Sequence, residues 1–238
     1  LTKSKQHALP SEVVCNAVSN AQTKLHVAVA TGRPFSFAEP VVAVLRLRGV
    51  SLFNGGAEIV DTVSKEVLKR TQLEVETLQE LVRLALPFGY EVFTDSDQYT
   101  KSLTSSDQIR EPAAKLFIHA VRNADALHLL AQLNGVPGAE AHPTTSWEDG
   151  DVVDIHITHE FATKRHGAEE LIAMLGVKKE EVIAVGDGYN DVPLLEAAGL
   201  KVAMGNAPEE VKQLADYVAP SLADDGVAEV INRFVLIT

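Results

Sequence analysis

Apolar residues fall in two alternating patterns at both ends of the chain. Val14, Ala17, Val18 and Ala21 recur at helical spacing and predict a helix over 11–22. Leu25-His26-Val27-Ala28-Val29-Ala30 is short and apolar, and it predicts a buried strand that runs into Thr31-Gly32-Arg33-Pro34. A second apolar helix follows at about 37–48, and Ser51-Leu52-Phe53 leads into Asn54-Gly55-Gly56. The far end repeats the alternation: helix 165–175, strand 182–185, helix 192–198, strand 201–204, helix 208–216, a short strand near 217–218 and helix 226–234. Strands alternating with helices predict an α/β fold, a doubly wound, Rossmann-like and mostly parallel sheet.

The middle reads differently. Leu78, Leu81, Val82 and Ala85 mark a helix, followed by short strands at 90–94 and 114–120, a helix at 125–133, and strands near 139–147 and 152–158. In the last of these, Val153, Ile155 and Ile157 alternate with Asp154, His156 and Thr158, the pattern of a half-exposed antiparallel strand. This predicts two domains: a discontinuous core of residues 1–70 and 160–238, interrupted by an inserted α/β domain with an antiparallel sheet over 71–159.

Composition narrows the function classes. With 46% hydrophobic residues in 238, the chain can bury a sizeable core. Its net charge of −12, without a Lys/Arg block, argues against nucleic acid or an anionic membrane as partner. Cys15 is the single cysteine, which excludes an internal disulfide, and it reads as a small hydrophobe among Val14, Ala17 and Val18. No apolar run reaches membrane-spanning length and no signal peptide is visible, so a cytoplasmic protein is the expectation.

The chemistry concentrates in Gly186-Asp187-Gly188-Tyr189-Asn190-Asp191, directly after the apolar run Val182–Val185. Pro193 then opens a helix that stops at Gly199. The acids therefore sit at the carboxyl end of a strand, where open α/β sheets bind ligands. Two carboxylates four residues apart, with an amide between them, suit an oxygen-seeking divalent ion such as Mg²⁺. Helix capping accounts for one acid but not for the whole cluster.

Three further features face the same predicted edge. Thr31-Gly32-Arg33 offers a hydroxyl and backbone N–H groups to a phosphate oxygen, or is an ordinary strand-to-helix turn. Lys164 precedes a helix, where the dipole does not favour a cation, and is either a surface lysine or an anion ligand. Asn54-Gly55-Gly56 is a plain turn, or an amide aimed into the crevice. His156, His159 and His166 match no usual metal-ligand spacing, and Trp147-Glu148-Asp149-Gly150-Asp151 reads as a solvated turn. No P-loop or dinucleotide fingerprint occurs.

In their order along the chain, Thr31-Gly32-Arg33, Asn54-Gly55, Lys164 and Gly186-Asp187-Gly188-x-Asn190-Asp191 resemble motifs two, three and four of the haloacid dehalogenase (HAD) superfamily of phosphohydrolases. Val202-Ala203-Met204-Gly205-Asn206-Ala207, Ala215-Asp216-Tyr217-Val218 and Asp225-Gly226-Val227-Ala228 resemble the closing segments of its branch with a large α/β cap between motifs two and three. The resemblance implies a Mg²⁺-dependent phosphatase of a small phosphorylated metabolite, a sugar phosphate or phosphoglycolate, acting through an aspartyl-phosphate. It implies Asp187 and Asp191 as metal-binding residues, with catalytic roles for Thr31, Lys164 and Asp187. Thr31, Gly32, Arg33, Asn54, Lys164 and Asn190 are implied to hold substrate, and the cap to close over the site and choose the ester.

The sequence departs from that family in one respect: no Asp-x-Asp-Gly-Thr occurs in it. Leu1-Thr2-Lys3 resembles the residues that follow this motif, so the nucleophile and the acid/base are expected upstream of Leu1. Two alternatives stay open, a non-catalytic phosphate-binding or regulatory protein and a phosphomutase.

Overall fold

In the computed structural model, residues 9–94, 101–146 and 148–236 are described. The readings of Leu1–Lys3 and of Trp147 lie outside them. The chain divides into two compact units: residues up to Lys69 together with those from Lys164 onward, and Arg70–Thr163.

The first unit begins with α1 (Glu12–Ala21), whose Ser11 side chain accepts a hydrogen bond from the Val14 amide and so caps the helix. Next come α2 (Phe35–Leu45), β1 (Val50–Phe53), β2 (Glu58–Asp61) and β3 (Val67–Arg70), the last strand leading into the second unit. The three strands form one sheet in the order β1-β2-β3. Its alternation buries both faces. Phe53 and Val60 pack with Val14, Val18, Val42 and Leu45 of α1 and α2. Leu52 and Ile59 pack on the other side with Ala168 and Leu171 of α5 (Lys164–Leu175).

A second parallel sheet has the order β10-β9-β8, from β8 (Ile183–Gly186), β9 (Leu200–Ala203) and β10 (Tyr217–Val218). It too is covered on both faces. Ala184 and Ala203 pack with Leu195 of α6 (Val192–Glu196) and Val211 of α7 (Glu209–Gln213). Ile183, Val185 and Val202 meet Val230 of α8 (Gly226–Ile231), beyond which the chain widens into a π turn over Asn232–Leu236.

The predicted strand 25–30 differs. Only Ala30 forms a bridge, parallel to Leu52, while Leu52 donates to Val29 and Thr31 donates to Leu52. A strand is defined by its partners, and among the described residues this segment pairs on one edge, with Leu25 and Ala28 exposed despite an apolar sequence. The hairpin β2–β3 has no counterpart in the apolar pattern, because β3 is exposed along its whole length.

The second unit holds an antiparallel sheet in the order β4-β5-β7-β6, made of β4 (Val92–Thr94), β5 (Leu116–Arg122), β6 (Ala139–Thr145) and β7 (Val152–His159). Helices α3 (Val75–Ala85) and α4 (Asn123–Leu133) cover one face with Leu78, Leu81, Val82, Leu129 and Leu133 against Leu116, Ile118, Ile155 and Ile157. The other face is polar but not solvated, which corrects the half-exposed reading of β7. Asp154 and Thr158 are buried, and His156 sits edge-on to Phe117 at 5.1 Å. Burial pushes the His156 imidazole down to about 2, with Lys115 adding to the effect. Asp154 accepts from Ser146 Oγ and from the amide of Ala120, which stands in a β-bulge at φ 49°, and its carboxylate contacts His119 Nδ1 at 3.0 Å.

Candidate active site

The carboxyl end of β8 carries the acidic turn. A Cβ on Gly186 would stand 2.5 Å from the Asp191 Cβ, so only glycine lets the loop fold back on itself there. Asp191 then enters α6, with Pro193 in its first turn. The Asp191 carboxylate is buried and accepts three hydrogen bonds from described residues. Oδ2 accepts the amides of Asp187 at 3.0 Å and Gly188 at 3.2 Å, and Oδ1 accepts the Lys164 ammonium. Lys164 is the first residue of α5 rather than its predecessor, and it is 8% exposed. The carboxylate offsets the desolvation and the unfavourable helix end that this ammonium meets. Asp191, expected beside Asp187 as a metal-binding residue, holds the loop and the lysine together.

Asp187 is the contrasting acid. It is exposed, and its carboxylate accepts a 3.3 Å contact from Asn206 Nδ2. Asn206 Oδ1 in turn accepts the Leu222 amide, which fixes the carboxamide. Sequence reasoning noticed Asn206 only as part of a closing segment. The available signal was its place in the turn after a buried strand, β9, the same topological position as Asp187 after β8. Asn190 is exposed next to these groups.

The second cluster lies after Ala30. The Thr31 hydroxyl accepts the Arg33 amide at 3.2 Å, and the Thr31 carbonyl accepts Gly55 N–H at 3.0 Å. The Arg33 carbonyl accepts Asn54 N–H at 3.0 Å, so Arg33 takes part through its main chain. Around Gly32 no atom outside its chain neighbours lies within 4 Å of where a Cβ would stand. The turn Asn54–Gly56 also meets α5: a Cβ on Gly167 would approach the Gly56 Cα and carbonyl to 3.0 Å. Glycine at 167 is what lets the helix that carries Lys164 lie against this turn. Thr31, Gly32, Arg33 and Asn54 therefore form one assembly, Lys164, Asp187, Asn190 and Asp191 a second, and α5 joins them.

The donor set fits a hard divalent cation. One exposed carboxylate and an exposed carboxamide suit Mg²⁺, which keeps several waters and completes its shell with substrate phosphate. Among the described residues no group of three His, Cys, Asp or Glu is arranged to hold a metal.

Comparison with known proteins agrees with the fold. The family model of haloacid dehalogenase-like hydrolases matches residues 2–134 and 95–231. The chain belongs to this family. It is 42% identical over 81 residues to phosphoglycolate phosphatase 1 of Saccharolobus solfataricus, a match covering 34% of this chain and 36% of that protein. It therefore spans about a third of the length of such relatives. Over 227 residues it is 25% identical to the 5-amino-6-(5-phospho-D-ribitylamino)uracil phosphatase YcsE of Bacillus subtilis, covering 92% of this chain and 86% of that one. A haloacid dehalogenase-like hydrolase from Bacteroides thetaiotaomicron superposes with a TM-score of 0.80 at 25% identity, covering 98% and 95% of the two chains. The HAD subclass IIB sugar phosphatase BT4131 has the same fold, with a TM-score of 0.75 at 22% identity over 94% of this chain and 91% of its own.

Proposed function

We propose that this chain carries the phosphoryl-binding and cap parts of a Mg²⁺-dependent phosphatase acting on a small phosphorylated metabolite. The observation that carries the reading is the pairing of Lys164 with Asp191 in the loop that also presents the exposed Asp187. A fixed ammonium beside an available carboxylate is the equipment for holding a phosphoryl group and a hard cation together.

Each residue then has a stated task. Lys164, held by Asp191, offsets charge on the transferring phosphoryl group, and because it is already oriented little reorganisation is needed. The Thr31 hydroxyl and the backbone of the Thr31-Gly32-Arg33 turn hold phosphoryl oxygens. Asp187 is the charged metal ligand, oriented by Asn206, and Asn190 assists it or a phosphoryl oxygen. Mg²⁺ bound there would supply Lewis-acid polarisation of the phosphoryl group. Asp191 acts through the loop and Lys164. The covalent step belongs to an aspartate of an Asp-x-Asp-Gly-Thr strand ahead of Leu1, and residues 71–159 serve as the cap that selects the ester. Phosphoglycolate and sugar phosphates are the favoured substrates. Two relatives are named as phosphatases of small polar esters, which supports that class.

A panel of phosphorylated metabolites, assayed for phosphate release with the chain preceded by that strand, tests the reading. Turnover of a small polar ester is expected. Transfer to a second sugar hydroxyl faster than hydrolysis would make the protein a phosphomutase. Phosphate binding without turnover of any ester would favour the second reading, a phosphate-binding protein.

A further inference from the structure

Tyr189 stands between the two acids of the turn after β8, and its ring adds nothing to the core. It is 62% exposed and belongs to none of the hydrophobic clusters of its unit among the described residues. What it does make is a hydrogen bond: its hydroxyl donates to Glu210 Oε2 at 2.9 Å. Glu210 lies in the first turn of α7, where the unpaired helix amides favour a carboxylate.

That contact is the second of two ties between neighbouring turns. β8 and β9 are adjacent parallel strands with Gly186 beside Ala203, so the segments that leave them run side by side. Asn206 reaches across to Asp187, and Glu210, four residues further on, meets Tyr189, two residues beyond Asp187. On its inner side the turn is held by Asp191, which accepts the Asp187 and Gly188 amides. Between Asp187 and Tyr189 stands Gly188, the residue with the least restricted backbone. The tyrosine contact restrains the chain just beyond it. We infer that Tyr189 and Glu210 form a positioning pair for Asp187, pinning the outer side of the turn so that the carboxylate is already placed for a divalent cation. The inference rests on Asp187 being the Mg²⁺ ligand and adds a pair that acts through the turn. A ligand held in place loses less freedom on binding, so the pair raises affinity without contributing an oxygen to the metal.

The test is Mg²⁺ titration calorimetry on the chain as it stands, with urea unfolding of each variant in parallel. Tyr189→Phe removes the hydroxyl and keeps every charge. Glu210→Gln removes the charge and keeps an oxygen that can accept the hydroxyl. Tyr189→Phe should weaken Mg²⁺ binding about threefold to fivefold, in the range of one modest hydrogen bond. Its stability should match the wild type, because both side chains are exposed. Glu210→Ala should weaken binding by a similar factor, the double variant no further than either, and Glu210→Gln should restore most of the affinity. Wild-type affinity in Tyr189→Phe would overturn the inference, and lowered stability in that variant would make the contact structural instead. Equal losses in Glu210→Gln and Glu210→Ala would mean that the carboxylate acts by charge alone, which also overturns it. Wild-type affinity in Asp187→Asn, or no Mg²⁺ binding by the wild type, would remove the metal reading and the role of the pair with it. Weakened binding in Asp187→Asn but not in Tyr189→Phe would reject the pair alone.

Discussion

The ammonium of Lys164 and the carboxylate of Asp191 form a buried ion pair that ties the first turn of α5 to the loop after β8, across 27 residues of sequence. Neither group has an alternative in solvent, because their side chains are only 8% and 10% exposed. The pair is therefore expected to couple strongly. Lys164→Met should destabilise the protein by about 3 kcal/mol, since it leaves a buried carboxylate without its counter-charge. In a double-mutant cycle with Asp191→Asn, measured by urea unfolding, the two changes should be non-additive by about 1–3 kcal/mol. Additive effects would mean that the contact does not organise the loop.

The two acids of the turn should behave differently. Asp187→Asn should leave unfolding nearly unchanged, because the side chain is exposed, while weakening Mg²⁺ binding measured by titration calorimetry. Asp191→Asn should lower stability instead, through loss of the Lys164 charge pair and of a charged acceptor for the Asp187 and Gly188 amides. Equal effects of both substitutions on Mg²⁺ affinity at unchanged stability would make Asp191 a ligand as well.

Gly186→Ala is a steric test of the same loop. The added methyl would lie 2.5 Å from the Asp191 Cβ, so β8 or the turn must shift. An overpacking cost of about 1–3 kcal/mol is expected, together with weaker Mg²⁺ binding because Asp187 moves with the turn. Wild-type stability and affinity would show that the turn is not tightly built.

His156 sets an acid limit for the second unit. Its pKa is pushed down to about 2, whereas an unfolded histidine titrates near 6.5. Between these values the unfolded chain binds more protons than the native one, so stability rises with pH in that window and falls as pH drops below 6.5. From pH 6.5 to 5 the loss from this residue is about 2 kcal/mol. His156→Phe, which retains a ring against Phe117, should flatten that part of the pH profile in denaturant unfolding. An unchanged slope would contradict the burial argument.

Elements with one-sided or alternating patterns were legible in the sequence. The helical spacing of Val14, Ala17, Val18 and Ala21 recurs as the buried face of α1. The alternation Val153, Ile155 and Ile157 became the face of β7 that meets α3 and α4. What local pattern does not contain is the identity of the partner. Leu25–Ala30 has a strand's composition, but among the described residues it pairs on one edge, around Val29–Thr31. His156 sits at the polar positions of β7, yet the opposite face of that sheet is packed by Phe117 and buried Asp154 rather than by water. In the site, the acidic turn and Lys164 were legible as residue types in order. The division of labour between Asp187 and Asp191 was not, because it depends on Lys164 and Asn206, which reach the turn from other elements.

The central claim is that the turn after β8 serves Mg²⁺-dependent phosphoryl chemistry through Asp187. The most direct measurement is hydrolysis of a small aryl phosphate by the chain preceded by an Asp-x-Asp-Gly-Thr strand, with Mg²⁺ and with EDTA, for the wild type and Asp187→Asn. The account predicts turnover with Mg²⁺, its loss in EDTA, and a fall of at least about a hundredfold in Asp187→Asn, in line with removal of a charged ligand of a metal that supplies several kcal/mol to the transition state. Full turnover in EDTA, or wild-type turnover by Asp187→Asn, would contradict it.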